Sequence, residues 1–356
     1  MSEFKDKATV EAWVRGEGAK PVIMDTSLAG MDLSGAMLAG GTFQRVNFQS
    51  ADLSGANLKE AQVLDCDFSG ANLTGCDLTL MSFVNCKFDG ANFSNINFYY
   101  TNFVDSDCSR AQFTNANLRT TNFVNVNLSE TSWKNATTEK PGFVNCQWIK
   151  ADLSYSVHNR PNFIEPVFEQ TNFEHSELTL PFFYKANLAG YDFRTIKISM
   201  PQFQFTELKA ANFSGLGLKQ AGFSSADLSG ADFTGSDLDQ TLFLKANLEN
   251  ATLEGCKLNQ SLLNEANLSG ANFANCQLVQ AQLVKTNCQH TCFAGADLTY
   301  ADLSHALLMH ADLSRTQLLR TNLHMIYEKE TDWRGANRSA ALETDQKLAR
   351  AEAFQA

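Results

Sequence analysis

No stretch of this 356-residue chain approaches the roughly 20 consecutive apolar residues that cross a bilayer. The opening segment, MSEFKDKATVEAWVRGEG, has no apolar run of the signal-peptide kind. A cytoplasmic protein is expected. Basic residues are the minority: 28 Lys and Arg stand against 39 Asp and Glu, a net charge of −11. That balance disfavours direct contact with nucleic acid or an anionic membrane. There is no CxxC and no phosphate-binding loop. The nine cysteines are odd in number and occupy repeat positions otherwise filled by Ala or Leu, which fits reduced thiols better than a disulfide framework. Both ordinary hydrophobic periods are missing as well. Neither the alternation of a strand nor the 3.6-residue period of a helix runs through the sequence.

What is there is a period of five. From Leu28 to Leu323 the residue at every number ending in 3 or 8 is a large centre, almost always Leu or Phe, and only Thr138 and His158 are clearly polar. Two residues before each centre the chain is usually small, as at Ala51, Ala71 and Cys76. One before is often Asp or Asn, and one after is often Ser or Thr. Two inward side chains per unit followed by a turn satisfies this pattern. Glycines such as Gly55, Gly70 and Gly90 fall two after a centre, where a type II turn needs positive φ. A second period of 20 overlies the first. Phe83, Phe103, Phe123, Phe143, Phe163, Phe183, Phe203, Phe223 and Phe243 form one column, and a second Phe-rich column (Phe93, Phe113, Phe173, Phe193, Phe213, Phe233) lies ten residues away. Four units therefore make one coil, with residue n stacked on n+20 and the aromatic columns on opposite walls. All six prolines lie two before a centre, and Pro141, Pro161, Pro181 and Pro201 form a ladder at a corner that can spare its N–H. The ladder adjoins Thr138 and His158, so coils near 131–206 are expected to be reshaped but in register.

The units ADLSG ANLKE (51–60) and ADLSG ADFTG (226–235) resemble those of the pentapeptide-repeat family. The resemblance covers most of the chain and implies an all-β, right-handed, quadrilateral parallel β-helix. About 15 coils at about 4.8 Å each would make a rod about 72 Å long. Terminal caps are expected, because an open coil exposes core and ladder groups. Residues 1–22, with Trp13 and Val14, are the expected N-terminal cap, 23–323 the β-helix, and 324–356 a C-terminal cap whose ALETDQKLARAEAFQA is rich in helix formers.

No catalytic constellation stands out from the Ser, Asp and Asn that the repeat itself demands, so no enzyme and no cofactor are expected. No metal is expected either. The one group that could bind zinc is His290, Cys292, His310 and Asp312, which the 20-residue period brings to one corner. Cys66 over Cys86 and Cys256 over Cys276 read as small inward residues, and Gln220, Gln240, Gln260 and Gln280 as a structural amide ladder.

One surface breaks the monotony. The residue after each centre should point outward. It is polar on two walls, for example Gln49, Ser69, Asp89, Ser109 and Ser129 on one, and Ser34, Ser54, Thr74, Ser94 and Thr114 on another. On the wall of the long Phe column it reads Leu64, Val84, Val104, Val124, Val144, Ile164, Tyr184, with Phe182 and Phe205 also outward, and Tyr99, Tyr100, Leu80, Leu180 and Met200 near the leading corner. A contiguous apolar stripe marks an interaction site. The expected function is a non-enzymatic protein-interaction scaffold that binds a partner or itself through this wall. The tail, from TNLHMIYEKETDWRGA to KLARAEAF, resembles the ends of pentapeptide-repeat proteins found with type VI secretion loading adaptors, which implies a secretion component or effector as partner. The alternative is a DNA mimic. Family members of that kind occupy DNA gyrase and give quinolone resistance or toxin immunity. Charge weighs against it, because 72 Å of duplex carries about 42 phosphate charges and this chain carries −11.

Overall fold

The computed structural model describes residues 4–16 and 22–353, so Pro21 and part of the expected N-terminal cap lie outside it. The chain forms two compact units, Met1–Phe182 with Thr195–Lys197, and Phe183–Arg194 with Ile198–Ala356. The fold is an all-β parallel β-solenoid, with two short α-helices among the described residues.

The first unit opens on helix α1 (Lys7–Val14), whose N-cap Asp6 accepts from the Thr9 N–H while the Thr9 side chain reaches back to the cap. Val10 and Val14 are its buried face. The Lys7 ammonium donates to the Ser34 carbonyl and the Glu11 carboxylate accepts from the Met37 N–H, which ties the helix to the opening coil. Three-residue strands follow. Val22–Met24, Thr42–Gln44, Gln62–Leu64, Ser82–Val84, Asn102–Val104, Asn122–Val124, Gly142–Val144 and Asn162–Ile164 stack in parallel, each residue on the one 20 later. A second parallel stack holds Asn97–Tyr99, Asn117–Arg119, Thr137–Glu139, Val157–Asn159 and Glu177–Thr179. Each strand buries its middle residue.

The strands are short because a left-handed residue ends each of them. From Asp25 to Gly335 every residue whose number ends in 0 or 5 has positive φ, apart from Thr195. Glycine fills 15 of these positions, as the turn chemistry predicts, but Asn, Asp, Lys and even Leu80 and Phe205 adopt the same conformation. The closing turn bond recurs too: the Ala51 N–H reaches the Phe48 carbonyl and the Ala56 N–H that of Leu53. The exception at Thr195 coincides with a 3-10 turn, Phe193–Thr195.

The side chains flanking each centre have a structural task. The Asp52 carboxylate accepts from the Ser54 N–H, Asp67 from Ser69 and Asn72 from Thr74. This two-residue reach is the local turn that Asp and Asn favour. It explains the Asp/Asn before the centre and the Ser/Thr after it.

The expected count of about 15 coils is corrected. Turns built from extended strands number about nine. In the second unit, beyond Gln204, the 20-residue rungs continue as single bridged residues, such as Asp227 to Asn247, Asn267 and Asn287. Nearly every unit there closes with the tight turn bond, which leaves no room for a three-residue strand.

The core is the expected pair of Phe columns. Phe103 and Phe123 stack at 4.8 Å, Phe93 and Phe113 at 5.1 Å, and the columns meet edge to face at 5.9 Å between Phe93 and Phe103. Each such ring pair adds about 0.5–1.5 kcal/mol to its burial. The two polar centres are buried and paired: Thr138 Oγ1 lies 2.9 Å from His158 Nδ1, and Ser156 Oγ 2.8 Å from His158 Nε2.

Candidate functional site

The register places six residues of the apolar stripe on one column of the first unit. Leu64 pairs with Val84, Val84 with Val104, Val104 with Val124, Val124 with Val144, and Val144 with Ile164. At about 4.8 Å per rung they run for about 24 Å. Leu64 is exposed and the other five are half-buried. Phe182 is half-buried in the same unit. Tyr184 and Phe205 belong to the second unit, where their rings meet edge to face at 5.7 Å. Leu80, Tyr99 and Tyr100 are exposed beside the stripe, the two tyrosine rings 4.5 Å apart with the Arg119 guanidinium over Tyr99. Leu180 is half-buried and Met200 exposed.

Beta-branched residues suit strands, so strand geometry alone could explain the valines. The second strand stack provides a control. At the same outward position it carries Tyr99, Arg119, Glu139, Asn159 and Thr179. Extended backbone therefore tolerates polar residues here, and the apolar column is a property of one wall. Sequence reasoning missed other exposed apolar residues, Tyr155, Val157 and Val167, which follow no single column.

The corner after the valine wall shows why cysteine recurs there. It lacks the tight turn bond, and the Val46 N–H instead meets Cys66 Sγ, while Cys66 Sγ lies 3.3 Å from the Leu64 carbonyl. In the next coils the Cys86 N–H meets Ser106 Oγ, and that hydroxyl donates to the Val104 carbonyl. These thiols are structural. Burial pushes Cys66 up to about 11 and Cys86 to about 12, far from a reactive thiolate. Cys292 departs from the expectation that the cysteines take Ala or Leu positions. It precedes a centre and is half-exposed. The glutamine ladder forms as expected, with amide bonds of 3.1, 3.0 and 2.9 Å from Gln220 through Gln280.

His290 and His310 stack face to face at 4.8 Å, and Cys292 pairs with Asp312. The four do not converge on one point. The Asp312 carboxylate accepts from the Ser314 N–H, and His310 Nδ1 lies 3.3 Å from Glu330. Among the described residues, the group whose ligand atoms do converge is His305, His324 and Glu352.

The tail motif is held by one cluster. The Arg338 guanidinium donates to Glu328 (2.8 and 2.9 Å) and Glu343 (3.1 Å) and lies over the Trp333 ring at 4.4 Å. The Trp333 indole N–H donates to Glu328. Beyond it, Asp345 caps helix α2 (Gln346–Ala353), accepting from the Lys347 and Leu348 N–H groups, and these bonds hold its carboxyl below the usual range. No helix among the described residues is long and apolar enough to cross a membrane.

Comparison with known proteins addresses the fold. HetL, a pentapeptide repeat protein involved in heterocyst differentiation regulation in the cyanobacterium Nostoc sp. strain PCC 7120, is 18% identical and covers 76% of this chain and 92% of its own, with a TM-score of 0.23. QnrB1, a plasmid-mediated fluoroquinolone resistance protein, is 17% identical over 71% of this chain and 94% of its own, with a TM-score of 0.24. Rfr23 from the cyanobacterium Cyanothece 51142 is 22% identical over 36% of this chain and 90% of its own, with a TM-score of 0.21. No curated protein matches. The family model described as a pentapeptide repeat region matches residues 76–153 and 246–323, and that described as pentapeptide repeats (8 copies) matches 26–62 and 221–260. With the five-residue turns and 20-residue rungs running through these same segments, the chain belongs to the pentapeptide-repeat family.

Proposed function

We propose that this protein is a non-enzymatic protein-interaction scaffold, and that the column Leu64, Val84, Val104, Val124, Val144 and Ile164 is its docking surface for a protein partner or a second copy. The observation that carries this reading is the contrast between two strand walls of one unit, one apolar at its outward position and the other polar. Phe182, and Tyr184 with Phe205, extend the set of outward aromatics. The tail's resemblance to proteins found with type VI secretion makes a component or effector of such a system the partner class to test first. Residues 1–22 and 324–356 act as caps in this reading, α1 through its buried Val10 and Val14.

The test is the double substitution Val104→Asp with Val124→Asp. Half-exposed positions on a wall of stacked strands should tolerate it with the circular dichroism spectrum retained. Co-purification with the partner, or self-association in sedimentation, should drop at least tenfold. An unchanged oligomeric state together with unchanged partner recovery would remove the stripe as an interface.

A further inference from the structure

We infer that His305, His324 and Glu352 form a binding site for a divalent transition metal of the zinc class, which fastens helix α2 to the coils beneath it. The three residues come from separate places in the fold. His305 sits at a left-handed corner with φ of 62°. His324 follows the last Leu centre and is buried, with its side chain 5% exposed. Glu352 lies in the last turn of α2. One carboxylate oxygen, Glu352 Oε2, lies 3.4 Å from His305 Nε2 and 3.3 Å from His324 Nε2. The rings meet nearly at right angles, 5.5 Å between centroids, so their nitrogens converge rather than stack. The whole donor set falls within 4.8 Å.

Those separations match a metal. A tetrahedral zinc about 2.0–2.1 Å from each donor sets its donors about 3.3 Å apart. Two of the three edges already have that length, and closing the third needs a small rotation of the half-exposed His305. Two imidazoles and one carboxylate, with a fourth position open to water, is a zinc-type donor set. A cavity lined in part by Asn322, Leu342, Glu343 and Leu348 adjoins His324 and could admit that water. By contrast, His290 and His310 stack in parallel and present no common point.

The site has a defined cost. The Asp345 N–H donates to His324 Nδ1 at 3.2 Å, so the ring proton sits on Nε2, directed at Glu352. A metal at Nε2 displaces that proton, the ring takes its proton on Nδ1 instead, and the contact with Asp345 opens. The exchange gives up the Asp345 bond to Nδ1 and replaces the direct Nε2–H contact with Glu352 by a shared metal. It gains a tether for a helix that has no buried residue of its own.

Zinc alone is the probe, titrated calorimetrically into full-length, tag-free protein after treatment with chelator. The expected result is one zinc per chain, with slowed amide hydrogen exchange across 346–353. Glu352→Gln, an isosteric change at a half-exposed residue outside the coils, should weaken binding about tenfold or more and abolish the slowed exchange while leaving the β-helix spectrum unchanged. His305→Ala should do the same. His290→Ala with His310→Ala should bind zinc as the parent does. Absence of stoichiometric binding, full binding by Glu352→Gln, or loss of binding confined to the His290/His310 variant would each overturn the assignment.

Discussion

At the scale of single residues, the repeat absorbs nearly every side chain into structure, and the departures are informative. His158 occupies a centre that should be Leu or Phe. Ser156 also donates to the Leu153 carbonyl, so its oxygen is left to accept from His158 Nε2–H, and Nδ1 then accepts from the Thr138 hydroxyl. The neutral ring is fully satisfied, and burial pushes its pKa down to about 4 from an ordinary 6.5. The unfolded chain therefore binds the extra proton first on acidification. Stability from this residue is complete above about pH 6.5 and is lost progressively as pH falls toward 4, by roughly 3 kcal/mol in all. Replacing both partners, Thr138→Val with His158→Leu, restores the repeat pattern and strands no polar atom. Urea unfolding of this pair should match the parent at pH 7 and exceed it by about 2–3 kcal/mol near pH 4.5. A pair that loses stability in step with the parent would show that His158 is not the acid-sensitive group.

At the scale of the element, here the coil, most of the fold was legible in the sequence, because one period sets the turns and another the stacking. Phe83 over Phe103 and Phe143 over Phe163 follow from counting by 20, and the structure pairs them. The strand count did not follow. Whether a corner closes with a tight turn bond or stays extended depends on contacts such as Val46 with Cys66 and Cys86 with Ser106 in the adjoining coil. No five-residue unit encodes that alone. The convergence of His305, His324 and Glu352 was likewise hidden, because Glu352 lies beyond the repeat and its approach is set by the capped α2. The stripe was legible as letters, while the polar control wall needed the strands to be located. Register itself can be tested. Duplicating residues 227–246 adds one whole coil and should leave the melting temperature equal or higher, as neighbour interfaces add in a repeat array. A single Ala inserted after Gly255 shifts every later side chain off its rung and should lower the melting temperature sharply or split the transition. Equal melting of the two variants would contradict the 20-residue rung as the unit of stability.

At the scale of the whole molecule, the question is how the net charge of −11 is displayed. A DNA mimic needs carboxylates set out in unpaired rows like phosphates. Here many carboxylates are neutralised where they stand: Asp25 by Arg45 at 2.6 Å, Asp89 by Arg110, Asp192 by Arg194 at 2.7 Å, and Asp237 by Lys219 at 3.3 Å and Lys257 at 3.8 Å. Others are diluted within their own column by amides, as where the Asn85 side chain donates to Asp65 at 2.6 Å and that of Asn125 to Asp105 at 2.8 Å. These exposed pairs add little to stability, but they break up the negative field that would draw a DNA-binding enzyme. In a supercoiling assay the protein at tenfold excess over DNA gyrase should therefore leave the rate unchanged, both alone and with a quinolone present. The same preparation should still show the interaction that Val104→Asp with Val124→Asp removes. Inhibition or protection of gyrase that survives that double substitution would place function on the acidic faces and displace the apolar wall from the central role.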